Sequence, residues 1–245
     1  VAGFIADNPL SDYEAGGDRA IERIMVAPLQ NPPGDKFVYS DVGYIVLGDL
    51  VRKVDGRTLD RFAEEEIFGP LMMGRTRFKP PFGNSAPVVP TEAIDGEFKL
   101  GIVHDPRARA MGGVAGHAGL FGSASDLARY CQMLLNGGEL DGKRIMSAET
   151  AKLMLTPRAS PDEKVLRAYG FDVVSPYDSP RGKHFPKGVS FGHTGFTGCS
   201  LWVDPRSKTF VILMTSRLHP DGKGDVKKLR SDVATAVAEA MEIGG

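Results

Sequence analysis

Residues 191–205, which read FGHTGFTGCSLWVDP, lie in the β-like part of the sequence, which continues through a turn at DPRSK into residues 209–215. Ser200–Val203 and Thr209–Thr215 are rich in β-branched and other apolar residues, and the turn between them predicts an antiparallel pair. Tyr169–Val174 is a further strand candidate. This stretch therefore predicts an antiparallel sheet whose polar, glycine-rich edge includes His193.

Length and charge limit the possible classes of protein. The chain has 245 residues, enough for one large domain or two lobes, and a formal net charge of −1, which gives no support for binding nucleic acid. No apolar run approaches the ~20 residues needed to cross a bilayer. Residues 1–4 lack the features of a secretory leader and an initiator Met, so we expect a processed or truncated start.

Helical periodicity dominates the middle of the chain, after a loop-rich start at residues 1–35. Apolar residues recur at three- and four-residue steps over 42–54, Gly56 ends that run, and Thr58 is placed to cap the next helix. Ser123 and Ser147 are placed to cap two more helices, and a last helix is expected over 226–241. Residues 74–110 are expected to be irregular. The layout is α+β, with a mainly helical lobe at 36–160 followed by sheet strands and a C-terminal helix at 165–245.

The expected sheet is small. Only three or four strands are recognisable, too few to carry such large helices without further strands. The two cysteines form no C-x-x-C pair, and Cys131 is expected to be buried in a helix.

The sequence Tyr39-Ser40-Asp41 at the mouth of a helix has two interpretations. A phenol has a reference pKa of about 10, and a neighbouring cation can lower it enough for the phenolate to accept a proton from a serine. Alternatively, the tyrosine packs and the aspartate caps the helix.

His193-Thr194-Gly195 also has two interpretations. A histidine on a strand edge supplies a tunable cation, and the glycine admits a close substrate. A nearby backbone N–H can stabilise an oxyanion. The alternative is a surface histidine in a loop.

Four stretches in order resemble the serine β-lactamase-like superfamily, which includes class C β-lactamases, DD-peptidases (penicillin-binding proteins) and family VIII esterases. They are PPGDKFVYSDVGYIVLGDLV, IFGPLMMGRTRF, GGVAGHAGLFGSASDLARYCQMLLNGG and FGHTGFTGCSLWVDP. The resemblance implies a DD-peptidase/β-lactamase-like fold, with an antiparallel sheet flanked by helices plus a helical lobe. It also implies a location outside the cytoplasm.

The resemblance implies roles for particular residues. Tyr39-Ser40-Asp41 matches the Tyr-x-Asn motif, with Asp41 where Asn is common. The match implies that Tyr39 assists proton transfer and that Asp41 contacts substrate or the missing lysine. His193-Thr194-Gly195 matches the Lys-Thr-Gly motif, so His193 supplies the cation and Thr194 and Gly195 border the substrate. The Phe196 amide becomes an oxyanion-hole donor, and His117 lies in the loop that borders the cleft. A histidine cation depends on pH near neutrality, unlike lysine, which puts tight binding of a substrate carboxylate in doubt.

The third motif of the superfamily, Ser-x-x-Lys, is absent because no serine in the sequence has lysine three residues later. We therefore expect the nucleophile helix and the N-terminal strands to be missing from this chain. An acyl-enzyme cannot form without the nucleophile. The expected partners are a β-lactam, a D-Ala-D-Ala peptide or an ester as substrate, and a missing N-terminal segment or a domain-swapped second copy. No cofactor is implied.

Three other functions compete with this one. Ser190 in GVSFG fits the nucleophile elbow of α/β-hydrolases, with Asp204 and His219 following in the required order. A pseudoenzyme that binds peptidoglycan peptides would also lack a nucleophile. A metal site is the weakest, because no paired ligand spacing appears among the five histidines and His104-Asp105 alone is a weak signal.

Overall fold

The computed structural model describes residues 4, 7–81, 88–98, 100–161 and 163–244. These residues form two units, each with its own packing. The first unit is Val1–Val89 with Lys99–Gly122, and the second is Pro90–Phe98 with Ser123–Gly245. Residues 82–87 and 99 of the segment expected to be irregular lie outside the described residues.

The elements of the first unit are mainly helical, and their numbers follow chain order through both units. They are a 3-10 turn at Leu10–Tyr13, α1 (Gly17–Val26), α2 (Asp41–Asp55), α3 (Leu59–Ala63) with a π-helical continuation at Glu64–Phe68, β1 (Arg77–Phe78), α4 (Pro106–Ala110) and β4 (Leu120–Phe121).

The second unit contains all the other elements. They are β2 (Ala93–Ile94), β3 (Glu97–Phe98), α5 (Ala124–Leu135), β5 (Glu139–Leu140), β6 (Lys143–Arg144), α6 (Ala148–Leu155), β7 (Arg158–Ala159), β8 (Leu166–Ala168), β9 (Phe171–Val174), a 3-10 turn at Ser179–Arg181, β10 (Phe191–Thr194), β11 (Ser200–Asp204), β12 (Thr209–Leu213) and α7 (Lys227–Ala240).

Helix α2 begins and ends where local chemistry dictates. The Ser40 Oγ accepts a hydrogen bond from the Gly43 N–H at 2.9 Å, which satisfies one of the orphan amides of the first turn. Gly56 follows the helix with φ of 89°, a left-handed conformation that glycine adopts at little cost. The buried face of α2, which includes Val42 and Ile45, packs with α1 and with Tyr13.

Two of the expected caps need correction. Asp41 is the first helical residue rather than the cap, because the Ser40 hydroxyl already occupies the capping position. Thr58 stands at the N-cap of α3, but its side chain makes no capping hydrogen bond. The caps at Ser123 and Ser147 are confirmed, with bonds from the Asp126 and Thr150 amides.

The second unit is built on a six-stranded sheet in the order β12-β11-β10-β9-β8-β7, antiparallel throughout. One face packs on α7, where Trp202 and Phe185 meet Ala234 and Ala238. The small alanines let the helix approach the indole ring closely. The α+β fold predicted from the sequence is confirmed.

The expected count of three or four strands was too low. Strands β7 and β8 have two and three residues and include Arg158 and Arg167, so they carry no alternating apolar pattern by which to recognise them. At the opposite edge, β12 pairs with β11 and its five residues are all half-buried.

Burial distinguishes the two cysteines. Cys131 on α5 is fully buried, which raises the pKa of its thiol to about 12 and confirms the expected packing role. Cys199 is partly exposed. Within the described part of the chain, no helix combines the length and apolar character required to cross a membrane.

Candidate active site

Tyr39 stands immediately before the cap of α2, in the first unit. Tyr39 is 43% exposed. The extended backbone at Ser40 (φ −133°, ψ 114°) separates Tyr39 from the helix proper. The phenol is therefore presented at a helix N-terminus.

Asp41, on the first turn of α2, is grouped with Asp105 and His117. The His117 Nε2 lies 3.0 Å from the Asp105 Oδ1. Asp105 is fixed in turn because the same Oδ1 accepts a hydrogen bond from the Ala108 amide at the start of α4. His117 has a side chain only 3% exposed, and its Nδ1 has no hydrogen-bond partner among the described residues.

The two carboxyl groups of this cluster respond oppositely to their surroundings. Burial raises the pKa of Asp41, and the nearby His117 only partly offsets the increase. Burial acts in the same direction on Asp105, but the hydrogen bonds from His117 and the Ala108 amide outweigh it and hold its pKa below the usual value. The sequence indicated His117 and Asp41, but Asp105 was noted only as part of a weak metal signal.

These three side chains are the group that could hold a metal ion within the described ranges, since one donor atom from each lies within 4.8 Å of the others. The Asp105 oxygen and the His117 Nε2 already bond to each other. The cluster is therefore satisfied in part as a hydrogen-bonded dyad.

His193 lies on β10 in the second unit, opposite Leu201 of β11. Its Nδ1 lies 2.8 Å from the Thr194 carbonyl oxygen, and its Nε2 lies 3.9 Å from the Asp172 Oδ2. Asp172 is on β9, in register with Gly192. Gly192 has no room for a side chain, because a Cβ there would lie 2.3 Å from the Trp202 ring.

The turn after His193 is closed by its own backbone. The Gly195 amide donates to the Cys199 carbonyl at 2.7 Å, and the Gly198 amide donates to the Gly195 carbonyl at 3.1 Å. Gly198 has φ of 130°, and a Cβ there would lie 2.6 Å from the Thr215 oxygen. Only glycine fits this position.

Arg230 of α7 fixes the direction of this turn. Its guanidinium donates to the carbonyls of Gly195 (2.7 Å), Gly198 (3.1 Å) and Cys199 (2.8 Å), and the residue is 9% exposed. In a trans peptide the C=O and N–H point in opposite directions. Because the Gly195 carbonyl faces Arg230, the Phe196 N–H of the same peptide points away from α7.

A second arginine holds the outer side of the turn. The Arg217 Nε donates to the Phe196 carbonyl at 2.6 Å, and its guanidinium stacks 4.3 Å from the centre of the Phe196 ring. The carbonyl groups on either side of the Phe196 residue, those of Gly195 and Phe196, are therefore each held by an arginine. Neither arginine carried a sequence signal, since both act through contacts distant along the chain.

Ser190 is fully buried, and its hydroxyl both donates and accepts a hydrogen bond. Its hydroxyl donates to the Pro186 carbonyl at 2.8 Å and accepts from the Trp202 Nε1 at 2.9 Å. It leads into strand β10, whereas a nucleophile elbow leads into a helix. Asp204 binds the amides of its own turn, and the His219 Nδ1 faces the Thr91 carbonyl at 3.1 Å. These contacts are structural ones.

Comparisons with known proteins agree with this fold. Residues 1–235 match the β-lactamase family. A putative D-alanyl-D-alanine carboxypeptidase of Escherichia coli O157:H7 is 33% identical over 225 residues, covering 84% of this chain and 51% of the relative. An N-acetylmuramyl-L-alanine amidase of Bacillus subtilis (strain 168) is 31% identical, covering 94% of this chain and 58% of the relative. The crystal structure of a penicillin-binding protein homologue from Caulobacter crescentus superposes with a TM-score of 0.65 at 21% identity, covering 98% of this chain and 68% of the other.

The chain belongs to the β-lactamase family. The superfamily resemblance drawn from the four sequence stretches is thereby confirmed. The chain spans about half the length of the curated relatives it matches.

Proposed function

We propose that these residues form the tyrosine- and histidine-bearing part of a serine hydrolase that transfers an acyl group from an amide or ester to a serine and then to water. The observation that carries the proposal is the restrained turn after His193, in which Arg230 directs the Phe196 N–H away from α7. A fixed donor of this kind stabilises the oxyanion of acyl transfer at no cost of reorganisation.

The proposed serine nucleophile lies outside the 245 residues printed above. This part of the proposal rests on the absence of Ser-x-x-Lys in a chain that matches the β-lactamase family and carries Tyr39-Ser40-Asp41 and His193-Thr194-Gly195. Ser190 does not replace it, because its hydroxyl is buried against Trp202.

In the proposed reaction, Tyr39 transfers the proton of the attacking hydroxyl. The 43% exposure of Tyr39 leaves its phenol accessible to substrate. The role proposed for His193 from its motif is to supply positive charge, and the role proposed for Asp41, Thr194 and Gly195 is to contact substrate. Asp105 and His117 support Asp41 from within the first unit.

The proposed substrates are amides of peptidoglycan. The relatives in Escherichia coli and Bacillus subtilis are named for a D-alanyl-D-alanine carboxypeptidase and an N-acetylmuramyl-L-alanine amidase, both of which cleave amides. A β-lactam and a short-chain ester are smaller acyl donors for the same chemistry.

Labelling with a fluorescent penicillin and with a fluorescent organophosphonate tests this function. We expect the 245 residues alone to remain unlabelled, and a form that includes the coding sequence upstream of Val1 to acquire one covalent label. Labelling of the 245 residues would contradict the placement of the nucleophile. A longer form that binds peptidoglycan peptides without acquiring either label would contradict the hydrolase and favour a pseudoenzyme.

A further inference from the structure

A buried carboxylate lies beneath His193 and has no place in the proposed reaction so far. Asp172 on β9 is fully buried. Its Oδ1 accepts a hydrogen bond from the Ser175 hydroxyl at 2.9 Å and is paired with the Arg167 guanidinium. Its Oδ2 has no hydrogen-bond partner among the described residues and lies 3.9 Å from the His193 Nε2.

The contacts of the His193 ring determine which nitrogen faces Asp172. The Thr194 carbonyl 2.8 Å from Nδ1 can only accept, so Nδ1 carries a proton. In the neutral ring Nε2 then has none and presents a lone pair toward the carboxylate. Adding the second proton at Nε2 replaces that repulsion by attraction between opposite charges at 3.9 Å.

Charged groups of two neighbouring strands lie near the ring. On β9 the facing group is Asp172, and on β8 it is Arg167, which shares that carboxylate. On β11 the residue opposite His193 is the apolar Leu201. Arg167 pairs with Oδ1 of Asp172, and Oδ2 faces the histidine. When His193 is protonated, these three side chains carry two positive charges and one negative charge.

We infer that Asp172 is a positioning residue that holds the His193 ring and stabilises its protonated form. Its purpose rests on the proposed function, in which the motif position of His193 requires a cation. A histidine at this position carries a charge that depends on pH, unlike the lysine of related motifs. The buried carboxylate stabilises the charged imidazole and so makes it more like that lysine. The effect reaches substrate only through His193.

The alternative is that Asp172 only ties β8 to β9 through Arg167. A stability measurement does not separate these roles, because both predict a less stable variant. The protonation of the His193 ring separates them, since a purely structural carboxylate would leave it unchanged.

Long-range ¹H–¹⁵N NMR of the imidazole rings measures this protonation on the 245-residue chain without substrate. The His193 signals are assigned by their loss in His193→Gln. In Asp172→Asn, we expect the doubly protonated His193 ring to be lost more readily than in the wild type, because the opposite charge 3.9 Å from Nε2 is removed. The matched control is Asp204→Asn, because Asp204 is an equally buried carboxylate of the same sheet that binds its own turn. The control should leave the His193 titration unchanged.

An unchanged His193 titration in folded Asp172→Asn would overturn the inference, as would an equal shift in Asp204→Asn. If Asp172→Asn does not fold, the wild-type chain provides the test. The ¹³Cγ shift of Asp172 should then move at the pH where His193 titrates, and a flat response would overturn the inference. Neither measurement requires catalysis, so failure of the proposed function in the labelling experiment remains a separate result.

Discussion

At the scale of single residues, Asp41 and Asp105 show how similar carboxyl groups acquire opposite preferences. Burial favours the protonated form of Asp41 and raises its pKa. Hydrogen bonds from His117 and a helix amide favour the ionised form of Asp105 and lower its pKa. Their contributions to the free energy of unfolding therefore change with pH in opposite directions.

Asp41→Asn should make the protein more stable relative to wild type as pH rises above 3.8, the ordinary value for aspartate. The raised pKa means that the unfolded chain releases the proton first, so wild-type stability falls as pH rises through the folded-state pKa. Asparagine does not ionise and lacks this loss. Urea unfolding at a series of pH values measures the difference, and a pH-independent difference would contradict the assignment.

Asp105→Asn should show the opposite trend. Its lowered pKa contributes stability above pH 3.8 that is lost as pH falls through the folded-state pKa. We expect the variant to be about 1 kcal/mol less stable than wild type at neutral pH, and the difference to shrink on acidification. The same urea series provides the measurement, and a deficit that grows on acidification would be inconsistent with the hydrogen bonds described.

Tyr39→Phe tests the proposed proton transfer. Removing the phenol oxygen should lower kcat/KM for a chromogenic ester by about 10²–10⁴-fold in a form of the protein that carries the nucleophile. Tyr44→Phe is the matched control, since Tyr44 is an exposed tyrosine in the first turn of α2, five residues after Tyr39. Equal activity of the two variants would remove Tyr39 from the mechanism.

At the scale of elements, helix α7 holds the Gly195–Cys199 turn in place through the hydrogen bonds of one side chain, that of Arg230. Arg230→Ala leaves the carbonyls of Gly195, Gly198 and Cys199 without their donor and should lower the free energy of unfolding by about 2–3 kcal/mol. Arg230→Lys should lose less, because it retains a cation.

The control for Arg230 lies on the same helix. Lys228 forms an exposed ion pair with Asp232, so Lys228→Ala should change stability by no more than about 0.5 kcal/mol. Urea unfolding of the three variants gives the comparison. If Arg230→Ala were no worse than Lys228→Ala, the three hydrogen bonds would not be holding the turn.

The elements that the sequence predicted well are those with local signals. Helices α5 and α6 follow the caps at Ser123 and Ser147, and α2 ends at Gly56, because each signal lies within a few residues of what it controls. Strands β7 and β8 were not predicted, because they are defined by pairing with neighbouring strands and not by a pattern in their own residues.

The candidate site residues depend on the same distinction. Tyr39 and His193 belong to short motifs and stay predictions from the resemblance. Asp105, which contacts His117 in the first unit, was not identified as such a contact, and neither were Asp172 and Arg230 in the second unit. Only tertiary packing brings these groups to their partners, and Arg230 bonds a carbonyl 31 residues away. The supporting groups of a site therefore need a structure, whereas its motif residues do not.

At the scale of the whole molecule, the half-buried edge strand β12 limits stability. It pairs with one strand among the described residues, so its apolar side chains gain only part of the ~1.5–3 kcal/mol that full burial of each provides. We expect the 245 residues alone to unfold below the range of about 45–65 °C that is usual for mesophile domains. Circular dichroism at several protein concentrations measures this.

The concentration series also tests whether a second copy covers β12. A midpoint that rises with concentration would indicate association, because binding to the folded state stabilises it. A cooperative transition within that range at every concentration would contradict the expected weakness.

The contrast between the two cysteines has a practical consequence. Cys131 lies on α5 and is buried, whereas Cys199 is partly exposed and its thiol contacts the Thr215 carbonyl at 3.5 Å. A thiol-selective fluorophore should therefore attach to one place, the closing residue of the Gly195–Cys199 turn. The native chain thus contains its own attachment point for a dye that reports in real time when a ligand occupies this turn, with no engineered residue required.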